Sequence, residues 1–487
     1  MIKISLLVCS ALGCLIGYYA FSLFSLWVSC VFAIVLFVYP LSHYCQDIGV
    51  GFRSALAATV VIPFGLGLVL GAVSGTAARK PFSPGLPPEK IRSVEGILLD
   101  DPRAGGSGGL ANVRVFAAGA DGLPGCGNVR ASATGTALVF FPDSSIPRLK
   151  EFGRGGELFV EGAFSPSAEK RYGKPVFSAR SVHLVKPASR PEQFRTAARL
   201  SLIGTLSSLN PGGLAAALLL GSRDGLDKSL ERSYRDAGLS HVLALSGMHL
   251  SFFSGLLAFF LKRPLGKKAA AFAGLLFIVV FVFIAGPMPG LVRSAIMYAV
   301  GVWAILLDMP KFTVVFLGAA FLFQIVFDPA SGLSLSFMLS YAALAGLLLL
   351  GKKFAFLMRG RVPRPLADAL SASLGAFIAA APLAAAFFGE LRPGGIVSGL
   401  VVVPLTSLFM LASLLFLVYG GFFPLAAVKI LSFLELVIAK TVSAAALIPG
   451  IKTPFFPALA LSLSLATFVF FAEKRLRLYR SRLESFD

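Results

Sequence analysis

Gly238-Leu239-Ser240-His241-Val242-Leu243-Ala244-Leu245-Ser246-Gly247-Met248-His249-Leu250 places two of the chain's four histidines, two serines and Gly247 at the head of an apolar run of membrane length. Ionisable groups in hydrocarbon are costly, so they face a cavity or a partner. A histidine pair at this depth therefore reads as a functional element, because an anchoring segment has no need of one.

Outward from that run, the composition agrees. Of 487 residues, 56% are hydrophobic and 14% charged, with a mean hydropathy of +0.82. Soluble domains carry nearer a quarter of charged residues. The expected fold class is a polytopic α-helical membrane protein of about twelve transmembrane spans, with a small all-β, OB-like extracytoplasmic domain inserted. Three spans come first, at 4–21, 22–40 and 54–76. Nine follow the polar region 77–238, at 239–261, 269–285, 290–307, 312–327, 333–350, 368–389, 395–419, 424–449 and 455–472. The segment 312–327 is short and is open to a re-entrant reading.

The net charge of +20 invites a nucleic-acid reading, but location matters more than total. The runs 262–268, 352–364 and 474–482 hold 14 of the 44 basic residues, and all three flank apolar spans. The positive-inside rule puts them in the cytoplasm. Threading alternately from Lys3 then leaves both termini cytoplasmic and 77–238 outside. Met1–Ala20 resembles a signal peptide, yet a second apolar span follows at once, which favours an uncleaved hairpin. The resulting divisions are an N-terminal three-span region (1–76), the β domain (77–190), amphipathic interfacial helices (191–238), a transmembrane core (239–472) and a basic cytoplasmic tail (473–487).

Within the polar region, Ile91–Leu99, Val113–Ala118, Asn128–Phe140, Glu157–Ser165 and Pro175–Val185 are β-type runs separated by Gly, Pro, Ser and Asp. Five strands in about a hundred residues fit a small barrel. Phe116, Phe140, Phe159, Tyr172 and Phe177 are candidates for stacking on bases, or else simply for its core. Cys9, Cys14, Cys30 and Cys45 lie in or beside the first two spans and Cys126 stands alone. With no CxxC or Cys/His spacing, neither a metal nor another cofactor is expected.

The run Leu220-Gly221-Ser222-Arg223-Asp224 through Gly238–His249 closely resembles the core signature of ComEC-type competence proteins. Gly286-Pro287-Met288-Pro289-Gly290-Leu291-Val292-Arg293, Asp328–Ser340, and Ala381-Pro382-Leu383 continuing through Phe388-Gly389 to Val403-Pro404-Leu405 extend the likeness. The resemblance implies an inner-membrane channel for transforming DNA, with an OB-like domain between the first spans and the core. It also implies partners: single-stranded DNA, membrane lipids, and other competence proteins (a DNA receptor, a cytoplasmic motor and a separate nuclease). Whether one subunit or a homodimer forms the pore stays open. Two departures stand out. No HxHxDH-type motif accompanies the chain, so the metallo-β-lactamase-like nuclease of many relatives is not expected in it, and Cys126 lacks the partner with which some relatives staple the outer domain.

Ser246 and His249 are three apart and share a helix face, whereas His241 and Ser246 do not. Gly247 reads as a kink. These four are read as a polar constriction that contacts phosphate or gates a pore, against a packing role. No acidic partner lies near, so no catalytic residue is assigned. Arg223, Asp224, Arg235 and Asp236 border the outer entrance, either as surface pairs or as mouth lining. Arg293 either snorkels to the interface or lines the vestibule. Glu435 is a paired buried carboxylate or a proton-coupling group, and Asp328 is a helix N-cap. Ser334, Ser336 and Ser340 read as helix-packing hydroxyls.

The function these readings favour is an inner-membrane channel that passes single-stranded DNA into the cytoplasm, and not an enzyme. The alternatives are a proton-coupled secondary transporter of a small or lipidic anion, using His241, His249 and Glu435, and a membrane hydrolase built on Ser246.

Overall fold

The computed structural model describes residues 86–105, 108–120, 129–165, 175–209, 211–308, 313–328, 331–332, 334–419 and 424–483. The three expected N-terminal spans, all five cysteines and Tyr172 lie outside those residues.

The polar region forms a closed β-barrel. Its elements are β1 (Ile91–Leu98), β2 (Arg103–Gly105), β3 (Gly108–Ala120), β4 (Val129–Ser132), β5 (Thr136–Pro142), helix α1 (Ile146–Phe152), β6 (Glu157–Phe164) and β7 (Val176–Lys186). Along β3, Ala111, Val113 and Val115 are buried and Arg114 and Phe116 exposed, the period-two alternation of a strand with one face inward. β1 pairs antiparallel with both β3 and β6, β6 with β7, and β3 with β5, while β5 and β7 run parallel. The ring β1-β3-β5-β7-β6 thus closes on itself, and closure removes open edges. β2 and β4 are additions that pair with β3. Phe177, one of the candidate stacking aromatics, is fully buried in the barrel core.

The chain leaves the barrel through α2 (Arg190–Ser207), α3 (Gly212–Leu220), α4 (Lys228–Asp236) and the single turn α5 (Ser240–Leu243). Only α4 has the expected amphipathic character: Leu230 and Tyr234, one turn apart, are buried beneath a charged face. Its N-cap, Asp227, accepts the Ser229 amide at 2.9 Å. α3 differs from the expectation. Every residue from Leu214 to Leu220 is buried, so the segment lies inside the bundle and not on an interface.

Next come α6 (Gly247–Ala285), α7 (Pro289–Leu306), α8 (Thr313–Phe327), α9 (Leu335–Gly346), a π turn at Leu347–Gly351, α10 (Lys352–Met358), α11 (Arg364–Phe388), β8 (Glu390–Leu391), α12 (Gly394–Tyr419), α13 (Pro424–Ala446), β9 (Ile451–Lys452) and α14 (Phe455–Leu483). α3 packs with α12 and α13 in the largest apolar core, which includes Leu218, Val402, Phe409, Ile438 and Val442.

α6 is a hairpin. A straight helix of 39 residues would run about 58 Å, twice the hydrocarbon thickness. Gly266 breaks it at φ 76°, ψ 171°, next to Pro264. The ring of Phe253 then meets those of Phe277 and Phe281, at centroid distances of 6.1 and 5.2 Å. The two expected spans on either side of the basic loop are therefore the two arms. The first arm begins at Gly247, eight residues later than expected, because Ala244–Ser246 is non-helical.

Five described helices are long and apolar enough to cross a membrane: α6, the α9–α10 unit (Leu335–Met358), α11, α12 and the first part of α14 (Phe455–Leu476). α7 and α8 are apolar but shorter, and α13 carries Lys429, Glu435 and Lys440. Phe259, Phe272, Phe387, Leu415 and Phe468 project outward, the inverted surface of a lipid-embedded bundle. The protein is a multi-pass membrane protein.

Candidate functional site

The site is built where the first turns of α6 and α7 meet. Ser246 is the N-cap of α6; its Oγ accepts the Met248 amide at 3.3 Å. His249 occupies the third helical position and completes a capping box. Its Nδ1 accepts the Ser246 amide at 3.2 Å and lies 3.3 Å from Ser246 Oγ. A ring nitrogen that accepts from an amide leaves the proton on the other nitrogen. Nε2 is that other nitrogen, and it is buried with no hydrogen-bond partner among the described residues.

Arg293 stands in the second turn of α7, 6% exposed. Its Nε and Nη1 are buried and make no hydrogen bond among the described residues, and its guanidinium lies 5.6 Å from the centre of the Tyr341 ring. A Cβ built on Gly247 would lie 3.5 Å from Arg293 Nη2 and 2.5 Å from Ser294 Oγ. Gly247 is thus the point of contact between the two helices and not a kink. A Cβ on Gly290 would likewise lie 3.8 Å from Ser340 Oγ and 4.0 Å from the Ser246 Cα, which brings Ser340 to the same place. Tyr341 donates to Gln324 Oε1 at 3.2 Å. Arginine does not lose its proton, and a buried unpaired charge costs several kcal/mol. Among the described residues the cluster offers buried donors without acceptors. That chemistry fits an anionic oxygen.

The remaining expected residues are distributed elsewhere. His241, on α5, is exposed, so the two histidines do not act from one helix face. Arg223 pairs with Glu231 at 3.1 Å, and Asp224 with Lys150 of the barrel at 2.7 Å. Asp236 faces Arg392, which also donates to the Asp236 carbonyl at 3.0 Å, and Arg235 is exposed. Arg223, Asp224 and Asp236 therefore each pair with a residue beyond their immediate neighbour. Arg293 does not snorkel. Glu435 is partly buried on α13 and makes no ion pair among the described residues. Asp328 holds a turn through the Ser331 amide, while Ser334 caps α9 by accepting from Phe337.

A family model described as "Competence protein" matches residues 218–477, more than half of the chain and all of the site residues above. The chain belongs to the competence protein family. ComE operon protein 3 of Bacillus subtilis (strain 168) is 26% identical over 197 residues, which are 39% of this competence protein and 25% of that relative's length. The match thus spans about a quarter of the curated relative. No solved structure matches the chain.

Several groups that join the competence core to the barrel escape sequence reading. Arg195 and Arg199, one turn apart on α2, reach Asp101 of the barrel at 3.1 and 3.7 Å. Arg195 also binds Glu192, and Arg199 donates to the carbonyls of Leu220 (2.8 Å) and Ala285 (3.0 Å) at the ends of α3 and α6. Burial opposes the Arg195 charge, but Asp101 and Glu192 more than offset it and raise its pKa. At Arg199 burial prevails over Asp101, and its pKa falls. An arginine pair at helical spacing was visible in the sequence, but the acid nearly a hundred residues away was not. Tyr341, Gln324 and Ser294 gave no signal at all, being common residues of apolar helices. Among the described residues, no cluster of His, Cys, Asp and Glu is placed to hold a metal ion.

Proposed function

We propose that this competence protein is a channel of the bacterial cytoplasmic membrane that passes single-stranded DNA inward during natural transformation. The observation that carries the reading is Arg293, buried, charged and, among the described residues, without an acceptor for Nε and Nη1, packed against Gly247 in the same turn as a His249 whose Nε2 is equally unbonded there. A DNA strand supplies anionic oxygens in series, one phosphate per nucleotide, and needs no base readout to be conducted. Donors that hold such oxygens at several weak points suit conduction better than one tight site. The Ser246–His249 contact favours this over hydrolysis, since among the described residues Nε2 is unbonded and no carboxylate orients the ring as in a catalytic triad.

On this reading residues 77–238 face outward, both termini lie in the cytoplasm, and the N-terminal spans complete a set of about twelve. The barrel is an OB-fold: its ring order, its single parallel pair and the helix α1 between β5 and β6 support that assignment. His241 and the charged rim at Arg223, Asp224, Arg235 and Asp236 line the outer approach. A DNA receptor delivers the strand, a separate nuclease removes its complement, and a cytoplasmic motor pulls. One copy or a homodimer surrounds the path.

The test is uptake of labelled DNA by cells carrying Arg293→Ala, with Arg293→Lys as the charge-retaining control. At normal expression and membrane location, Arg293→Ala is expected to stop entry into the cytoplasm while surface binding continues. Unimpaired entry would falsify the reading.

A further inference from the structure

Arg293 meets an aromatic ring where a buried arginine ordinarily meets a carboxylate. The ring is built into α8 and α9. Phe337 and Tyr341 are four residues apart and lie on one face of α9, while Phe321 and Gln324, three apart, share the face of α8 that packs on it. The rings of Phe337 and Phe321 flank that of Tyr341 at centroid distances of 4.4 and 5.4 Å, the second nearly edge-on at 86°. Gln324 Oε1 accepts the phenol proton at 3.2 Å. Tyr341 is thus fixed from three directions, with the guanidinium of Arg293 over its ring.

That choice of neighbour decides what the arginine is able to do. A carboxylate in the same place would neutralise Arg293 and occupy its N–H groups in a bidentate pair. An aromatic face attracts the cation through its quadrupole, most strongly where water is excluded, and leaves the N–H groups free. Arg293 therefore keeps a compensated charge while Nε and Nη1 stay without a partner among the described residues.

From this arrangement we propose that Tyr341 is the positioning residue of the anion site: its ring carries the Arg293 guanidinium while the site is empty and gives it up to a phosphate oxygen when the strand arrives. The inference rests on the strand-conducting reading of Arg293 above and adds how the site lets go. A contact made only in the empty state lowers affinity for the incoming anion. Each phosphate then leaves readily, as conduction requires.

The test follows the thermal unfolding midpoint of the full chain in detergent across a series of inorganic phosphate concentrations, together with entry of labelled DNA into cells. Anion binding to the folded state raises the midpoint, and Arg293→Ala shows which part of the rise belongs to this site. Tyr341→Phe keeps the ring and should leave phosphate affinity and entry within about twofold of the unaltered protein. Trifluorophenylalanine in place of Tyr341 keeps the shape but cancels the quadrupole. It is expected to bind phosphate roughly tenfold more tightly than the phenylalanine variant and to slow entry. Tyr341→Leu should act in the same direction. Tyr341→Glu, which pairs with Arg293, should abolish the Arg293-dependent response and stop entry. A packing role alone would shift the midpoint equally at every phosphate concentration and ignore fluorination, and that result overturns the proposal. So does an unaltered protein whose phosphate response is independent of Arg293. The two readings fail separately. Phosphate binding governed by Arg293 and the ring, with DNA entry indifferent to both, removes the strand and keeps the exchange. Entry that depends on Arg293 while the ring variants change nothing removes the exchange alone.

Discussion

Ser246 and His249 hold each other across the first turn of α6, the serine hydroxyl capping the helix and the imidazole Nδ1 accepting the serine's own amide at 3.2 Å. The motif fixes the ring and leaves Nε2 without a hydrogen-bond partner among the described residues. Ser246→Ala removes the hydroxyl and should cost about 1 kcal/mol, seen as a lower midpoint of thermal unfolding in detergent. Ser246→Thr should retain most of that stability. A midpoint unchanged by the alanine would show that the cap contributes nothing.

Gly247 allows α6 and α7 to touch. Gly247→Ala puts a methyl group 2.5 Å from Ser294 Oγ, which donates to the Gly290 carbonyl, so the hydroxyl must leave its partner or the helices must part. The variant should unfold at lower temperature. Adding Ser294→Ala removes the colliding atom and should recover part of the loss, a non-additive pair in a double-mutant cycle. Strict additivity would mean that the two residues do not meet.

Asp101 pins the barrel to the helices through Arg195 and Arg199, whose side chains are 4% and 12% exposed. Losing one partner of a buried pair costs about 3–5 kcal/mol. Asp101 is itself 34% exposed, and water replaces part of what it supplies. Asp101→Asn is therefore expected to cost on the order of 2 kcal/mol. Lys150→Ala, which breaks the more exposed pair with Asp224, should cost less than about 1 kcal/mol. Comparing the two by thermal unfolding checks the order, and a reversed order would contradict it.

Tyr234 lies in the core beneath α4, which is not one of the membrane-length helices, and burial pushes its pKa from 10.0 up to about 12. The folded protein therefore keeps this proton longer than the unfolded chain does. The stability tied to it is fully present below the ordinary tyrosine pKa and is lost as the pH rises from there to about 12. Tyr234→Phe should flatten that part of the alkaline unfolding profile. An alkaline profile identical to that of the unaltered protein would refute the assignment.

Periodic features were legible before any coordinates. The β-type run Glu157–Ser165 and the apolar runs from 269 onward located the starts of strands and helices to within a few residues, since burial acts on every second or every third and fourth side chain. Ser246 and His249 were also legible as a pair, because spacing of three places residues on one helix face. Their partner Arg293 was visible only as a charge near a turn. Its burial comes from the approach of α7 to α6, which depends on Gly247 and Ser294 fitting together and leaves no pattern in either segment. The late start of α6 was hidden for a related reason: the break at Ala244–Ser246 is made by a cap, and apolar residues run straight through it.

The turn at Gly266 has a consequence for all that follows it. A chain that crosses a layer once arrives on the far side, and one that doubles back returns to the near side. Ser246 opens the first arm of α6 and Arg293 lies just beyond the second, so they share a level only because the number of crossings between them is even. Gly266, at a φ of 76° that other residues avoid, sets that parity. A single backbone torsion thus decides at which end of the bundle each later helix begins, and whether Arg293 reaches Gly247 at all.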